Sequence, residues 1–360
     1  MITHKKKLFT FLSIIILLLM FELLIKMYFH LSGNDIKAFK NFPGRYSNSY
    51  FTGFELTKNW EINHKSLKET INNHGFKSPT LSIKKPENTF RIFCVGGSTV
   101  YGTGNLNDWP SKLNEIITKS SKGALKYEVI NAGVPAYTSF HTLSQLTSKL
   151  VEFDPDLIIY YQMFSELWYY HKIDNDQVIG DNFKPFGQGH IFNKISDKSY
   201  LLTSIGIINR KYFSKRFSNE VRYKHTPIRH FKQSDLKYYK QNLIMYSTLC
   251  NELGIKLLIC SPLTLFKESN SSEEIRLISD YKNKDFYLKY IDSSNMFYEY
   301  LSKRFKNVHT IKLTNLIEPN IEILKDRYHL TEKGNQKVAS ELYSRLKDFT
   351  YKSSDSNIVY

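Results

Sequence analysis

Cysteine is scarce: Cys94, Cys250 and Cys260 are the only three in 360 residues. An odd number without short paired spacing excludes a disulfide framework and a zinc site, and the three are read as buried thiols. Proline and glycine are also few, at 10 and 16, which excludes collagen-like and low-complexity chains. Acid is in short supply, with 34 Asp and Glu against 50 Lys and Arg, a formal net charge of +16. Hydrophobic residues still make up 41% and charged ones only 23%, which excludes a largely disordered chain. Long apolar runs are limited to one, so a polytopic membrane protein is excluded as well.

That run is Leu8–Ile25, LFTFLSIIILLLMFELLI, behind Lys5, Lys6 and Lys7. Its length just covers a hydrocarbon core, with Glu22 near the distal end, where its carboxylate can reach the headgroups. No good small-residue cleavage site follows, so an uncleaved signal anchor is expected, with a cleaved signal as the alternative. The three lysines favour a cytoplasmic N-terminus and an extracytoplasmic remainder, which makes a single-pass protein of the cell membrane.

Residues 1–30 are therefore assigned to the N-terminus and anchor, and 31–88 to a linker and a lead-in segment packed on the main domain. From residue 89 short apolar runs alternate with amphipathic stretches. The runs Phe90–Val95, Tyr127–Ile130, Leu157–Tyr161, Ile255–Cys260 and Val308–Leu313 suit buried parallel strands. Trp109–Lys119, Ser139–Phe153, Ser234–Leu253 and Thr331–Phe349 have helical patterns. This alternation predicts an α/β domain over 89–350, a parallel sheet covered on both faces. Residues 172–232 interrupt it as an insertion or lid, and 351–360 form a tail.

Three pieces carry chemistry. The first strand runs into Gly96-Gly97-Ser98-Thr99, a turn that presents Ser98 beyond the strand's C-terminal end. No Gly-Lys-Ser/Thr follows, so it is not a phosphate loop. Near the other end, Asp326 and His329 are spaced so that a carboxylate can orient an imidazole whose second nitrogen serves a nucleophile. The third piece, Asn131-Ala-Gly133-Val-Pro-Ala-Tyr137, is another strand end and offers the Gly133 N–H as an oxyanion donor alongside that of Ser98.

In this order the three pieces resemble the SGNH/GDSL hydrolase family, over roughly residues 68–350. Asn72–Lys77 and Asp108–Leu113 are similar to that family's lead-in segments. The resemblance implies a three-layer α/β/α sandwich with a flavodoxin-like parallel sheet, a catalytic triad of Ser98, His329 and Asp326, and no cofactor or metal. One block departs. After Pro155-Asp156-Leu-Ile-Ile-Tyr-Tyr161 the family's Gly-x-Asn-Asp is replaced by Met163-Phe164-Ser165-Glu166. Ser165 then stands in for the oxyanion Asn, with Gln162 as the alternative donor.

Between Arg210 and Lys232 eight basic residues face only Glu220, with aromatics interleaved. Nucleic acid is not expected as the partner of a segment outside the cytoplasm. A solvated helix face is the plain explanation, and contact with anionic headgroups or an acidic glycan the sharper one. The expected function is that of a membrane-anchored extracytoplasmic serine esterase or O-acyltransferase, acting on O-acylated surface carbohydrate. A non-catalytic carbohydrate-binding or assembly protein and a lipid-ester hydrolase are the alternatives. The oligomeric state is open.

Overall fold

The computed structural model describes residues 2–32, 45–64, 67–102, 108–120, 125–169, 199–208 and 230–350. The linker 33–44, most of the insertion, most of the basic stretch and the tail 351–360 lie outside the described residues.

The apolar run is part of α1 (Ile2–Ser32), 31 residues long and almost bare of protein cover. At about 1.5 Å per residue it exceeds the ~30 Å of a hydrocarbon core. Its length and composition suit a membrane anchor or a signal sequence.

The lead-in segment is more regular than its polar, Gly- and Pro-containing sequence suggests. It forms two antiparallel ribbons, β1 (Tyr46–Ser49) with β2 (Gly53–Leu56) and β3 (Glu61–His64) with β4 (Leu67–Thr70). Gly53 closes the first turn at φ 73°, a conformation that favours glycine. Strands of four residues carry too little alternation to stand out in a sequence. Phe54, Leu56, Trp60, Ile62 and Ile71 build a small second core against Tyr101, Val134 and Tyr137.

The main sheet has five parallel strands: β5 (Thr89–Gly96), β6 (Lys126–Asn131), β7 (Leu157–Tyr161), β8 (Lys256–Ser261) and β9 (Val308–Lys312). Their order is β6-β5-β7-β8-β9, the flavodoxin-like arrangement. β5 and β7 are buried at every residue and β8 at all but Lys256, whereas the edge strands β6 and β9 are only partly buried. Continuous apolar runs are what a two-sided cover requires. One layer holds α3 (Trp109–Ser120), packed on β6 and on the C-terminal helix. Short α2 (Ser98–Tyr101) precedes it at the end of β5.

The opposite layer holds α4 (Ser139–Ser148), which ends earlier than its pattern predicts. The chain breaks at Lys149 into a 3-10 turn over Leu150–Phe153, and Asp154 turns it at φ 48°. Pro155 follows, which disfavours a helical residue before it. After β7 come α5 (Glu166–Tyr169), α6 (Tyr200–Ile208) and α7 (Lys237–Glu252), and α7 packs on α4. Then α8 (Ser272–Leu277) leads to α9 (Lys284–Arg304), a long helix that the apolar runs alone do not reveal. It buries Phe286, Tyr290, Phe297 and Leu301 on one face. Finally α10 (Glu332–Thr350) returns to pack on α3, which completes three layers.

One charge lies inside the sheet. Arg91 is fully buried in β5, with Nε 2.6 Å from Glu128 Oε2 and Nη1 donating to the carbonyls of Phe153 and Ile83. It ties the N-terminal ends of β5 and β6 to the loops below.

Because β6 and β7 lie on opposite sides of β5, the chain switches direction at the C-terminal end of β5. Open α/β sheets bind ligands at such a point. The turn there is tight: a methyl group on Gly96 would come 2.3 Å from the Tyr161 carbonyl oxygen and 2.6 Å from Val100 Cγ2. Gly96→Ala is therefore expected to destabilise the domain by about 1–3 kcal/mol, the usual cost of overpacking, seen as a lower thermal midpoint. An unchanged midpoint would show that the β7 end yields.

Candidate active site

Ser98 is the first residue of α2, directly beyond the fully buried β5. Its Oγ is 2.8 Å from His329 Nε2. The other ring nitrogen, Nδ1, is 2.7 Å from Asp326 Oδ2. Residues 231 positions apart in sequence thus make one hydrogen-bonded relay.

The acid and the imidazole share a short closed loop. Leu324 and Leu330 pair across it, and Lys325 N–H donates to the His329 carbonyl at 2.9 Å. Inside, Asp326 Oδ1 accepts the N–H groups of Tyr328 (3.0 Å) and His329 (2.8 Å). The loop is fixed from outside too. The Arg327 carbonyl accepts from Leu265 N–H and Thr264 Oγ1, and the Tyr328 ring stacks on Phe164 at 5.1 Å. α10 starts just beyond and needs Gly334, where a side chain would overlap the Ile323 carbonyl. Partial burial pushes the Asp326 carboxyl up. The hydrogen bond and charge of His329, with the two backbone N–H groups, outweigh it and leave the carboxyl at about 2. Asp326 is therefore an anion across neutral pH, as an orienting carboxylate must be.

The stretch after β6 departs from expectation. Gly133 N–H donates to Asn131 Oδ1 at 3.0 Å and is buried, so it is not aimed at an oxyanion. Its lack of a side chain serves packing: a methyl group there would come 2.6 Å from Tyr101 N and 2.8 Å from Val100 Cβ. The open donor lies three residues on. Tyr137 N–H closes a turn onto the Val134 carbonyl, and Ala136 within that turn has φ 72°. The Ala136 N–H has no acceptor among the described residues, and Ala136 is half-exposed between buried neighbours. An alanine in a left-handed turn position gives no signal in the sequence.

The departing block lies against the nucleophile turn. A methyl group on Gly97 would come 3.0 Å from Ser165 Oγ and 3.1 Å from Gln162 Oε1. The Gln162 amide nitrogen is engaged elsewhere, donating to the Tyr137 carbonyl (2.7 Å) and to Glu166 Oε1 (3.4 Å). What Gln162 turns toward Gly97 is an acceptor, so of the two candidates Ser165 is the one with a donor to offer.

Behind these residues sits a buried polar knot that the sequence did not disclose. Glu166 accepts from Ser139 N–H (2.5 Å) and Ser139 Oγ (2.9 Å), and Asn242 Nδ2 donates to the same Oγ at 2.9 Å. It joins the start of α4 to the loop after β7. On the far side of α2, Lys77 Nζ lies 3.1 Å from Asp108 and 3.5 Å from Glu69 and donates to the Tyr101 carbonyl. Among the described residues no group of three His, Cys, Asp or Glu side chains is arranged for a metal ion.

No known protein family and no curated protein matches the chain. Solved structures do. An acetyl-xylooligosaccharide esterase from Geobacillus matches at 12% identity over 74% of this chain and 97% of that one, with a TM-score of 0.42. A GDSL-like lipase from Bacteroides thetaiotaomicron matches at 11% over 74% and 92%, with a TM-score of 0.42. A lipase/acylhydrolase from Enterococcus faecalis matches at 13% over 72% and 96%, again at 0.42. Likeness this distant says nothing of activity, which has to be read from the side chains.

Burial pushes the Glu166 carboxyl up to about 8, against the hydrogen bonds from Ser139 and Gln162 that favour its charge. Between pH 4.5 and 8 the folded state then holds a proton that the unfolded state has lost. Stability should fall as pH rises through that window and level off above it. In Glu166→Gln this slope should be absent from thermal midpoints measured between pH 5 and 9. An identical slope in the variant would place the proton elsewhere.

Proposed function

We propose that the chain is a membrane-anchored serine esterase or O-acyltransferase of SGNH type, working outside the cytoplasm. The observation that carries this reading is the relay from Ser98 Oγ through His329 to Asp326 at the sheet's switch point. Ser98 Oγ attacks the carbonyl carbon of an O-acyl ester as its proton passes to His329 Nε2. Asp326 holds the ring and stabilises the imidazolium. The negative charge on the former carbonyl oxygen is met by the N–H groups of Ser98 and Ala136 and by the Ser165 hydroxyl. Collapse of that intermediate breaks the ester C–O bond, and the imidazolium protonates the leaving alkoxide. Water, or the hydroxyl of an acceptor sugar, then attacks the acyl-enzyme with His329 as base and regenerates Ser98.

Acylated surface carbohydrate is proposed as the substrate because of the expected extracytoplasmic location and the family resemblance. The anchor is Leu8–Ile25 within α1, with the N-terminus in the cytoplasm behind Lys5, Lys6 and Lys7.

Turnover of an activated acetyl ester tests the reading. Ser98→Ala and His329→Ala should each abolish it while the thermal midpoint stays near wild type. Ser165→Ala should raise the barrier by about 1–3 kcal/mol, mainly in kcat, since the oxyanion exists only beyond the ground state. Near wild-type turnover in Ser98→Ala or His329→Ala would remove the triad. An unchanged kcat in Ser165→Ala would leave the oxyanion to the two backbone donors.

A further inference from the structure

Glu22 lies within the apolar run, yet its carboxylate is not left to the headgroups. It accepts from Tyr200 N–H at 2.6 Å, Leu201 N–H at 2.8 Å and Ser199 Oγ at 2.7 Å. All three donors stand at the start of α6, where Ser199 Oγ also caps Leu202 N–H at 3.1 Å. Further along the anchor, the rings of Phe29 and Tyr200 lie 6.2 Å apart.

Each partner solves the other's problem. A carboxylate within an apolar span is costly and is kept where it is paired. The first N–H groups of a helix have no partner within the helix, and in lipid there is no water to take them. The positive end of the α6 dipole also favours an anion at that place. The sequence of α6, YLLTSIGII, has no charged residue, and Ile205 is 53% exposed. A short helix this apolar, fastened by its N-terminus to a transmembrane carboxylate, finds its remaining cover in acyl chains.

We propose that α6 is a second membrane-embedded segment, latched to the anchor helix by Glu22, so that the chain holds the bilayer at two places. The proposal rests on α1 being the anchor. It has a consequence for the active site. The chain leaves the sheet at the C-terminal end of β7 and comes back at the start of α7, which leads to the N-terminal end of β8. Both roots of the segment that carries α6 therefore lie on the edge that bears Ser98. The latch ties the catalytic edge to the bilayer, toward a substrate presented at its surface.

The test uses the full chain in phosphatidylethanolamine/phosphatidylglycerol vesicles. Cys94, Cys250 and Cys260 are buried, so a nitrobenzoxadiazole label goes to Ile205→Cys or, as a reference within the anchor, to Leu17→Cys. The label at 205 is expected to be quenched by doxyl lipids and shielded from aqueous iodide, as at 17. Adding Glu22→Ala should abolish lipid quenching at 205 and leave it intact at 17. Should that variant fail to fold, the pair Phe29→Cys and Tyr200→Cys, which keeps Glu22, should be joined by a short bismaleimide. A label at 205 open to iodide while 17 stays in lipid overturns the second segment and spares the anchor. Iodide access at both positions overturns the anchor and the proposal with it. Lipid quenching at 205 that survives Glu22→Ala, or a 29–200 pair that is never joined, overturns the latch.

Discussion

A side chain at Gly96 would have to share space with the Tyr161 carbonyl oxygen, and one at Gly97 would press on Ser165 and Gln162. Two central strands therefore meet at their C-terminal ends with only backbone between them. The chain can leave β5 there only by turning at once into α2, and that turn sets Ser98 at the head of the helix with its own N–H uncovered. Everything else at the site is arranged around this contact. Asn131 reaches from the end of β6 to the Val100 carbonyl and holds α2 from one side, and Lys77 holds the Tyr101 carbonyl from another. The small core of the N-terminal ribbons lies behind the same helix, against Tyr101 and Tyr137. The lead-in segment is thus a buttress for the turn that carries Ser98.

The imidazole reaches this turn from the far end of the chain, and its position is fixed by backbone bonds more than by packing. The 325–330 loop is closed on itself, pinned to the segment after β8 through Arg327, and stacked on the loop after β7 through Tyr328. A base held at three points loses little freedom when it takes a proton. In the proposed mechanism such preorganisation is what makes the Ser98 hydroxyl reactive.

The central strands are legible because strands covered on both faces must be apolar throughout, and the hydrogen-bonded set of Ser98, His329 and Asp326 is legible from residue type and order. Elsewhere the rule that won was local geometry, which leaves no compositional trace. Gly133 looked like a donor but is small so that α2 can pack on it, whereas Ala136 takes the left-handed turn without being glycine. Glu166 is a carboxylate buried against Ser139, and only the fold reveals it. The aromatic face of α9 and the four-residue ribbons carry too little periodicity to be found by pattern. Glu22 read as a residue at the edge of its span because its partners lie some 180 residues away.

In the proposed reaction Ser98, and no other hydroxyl, forms a covalent bond to the acyl carbon. Treatment of the purified full-length protein with a fluorophosphonate, followed by peptide mass spectrometry, measures this directly. The reagent should add once per chain, on Ser98, and the adduct should vanish when the protein is denatured beforehand. A folded protein that takes up no label, or that carries it on a different serine, would contradict the assignment.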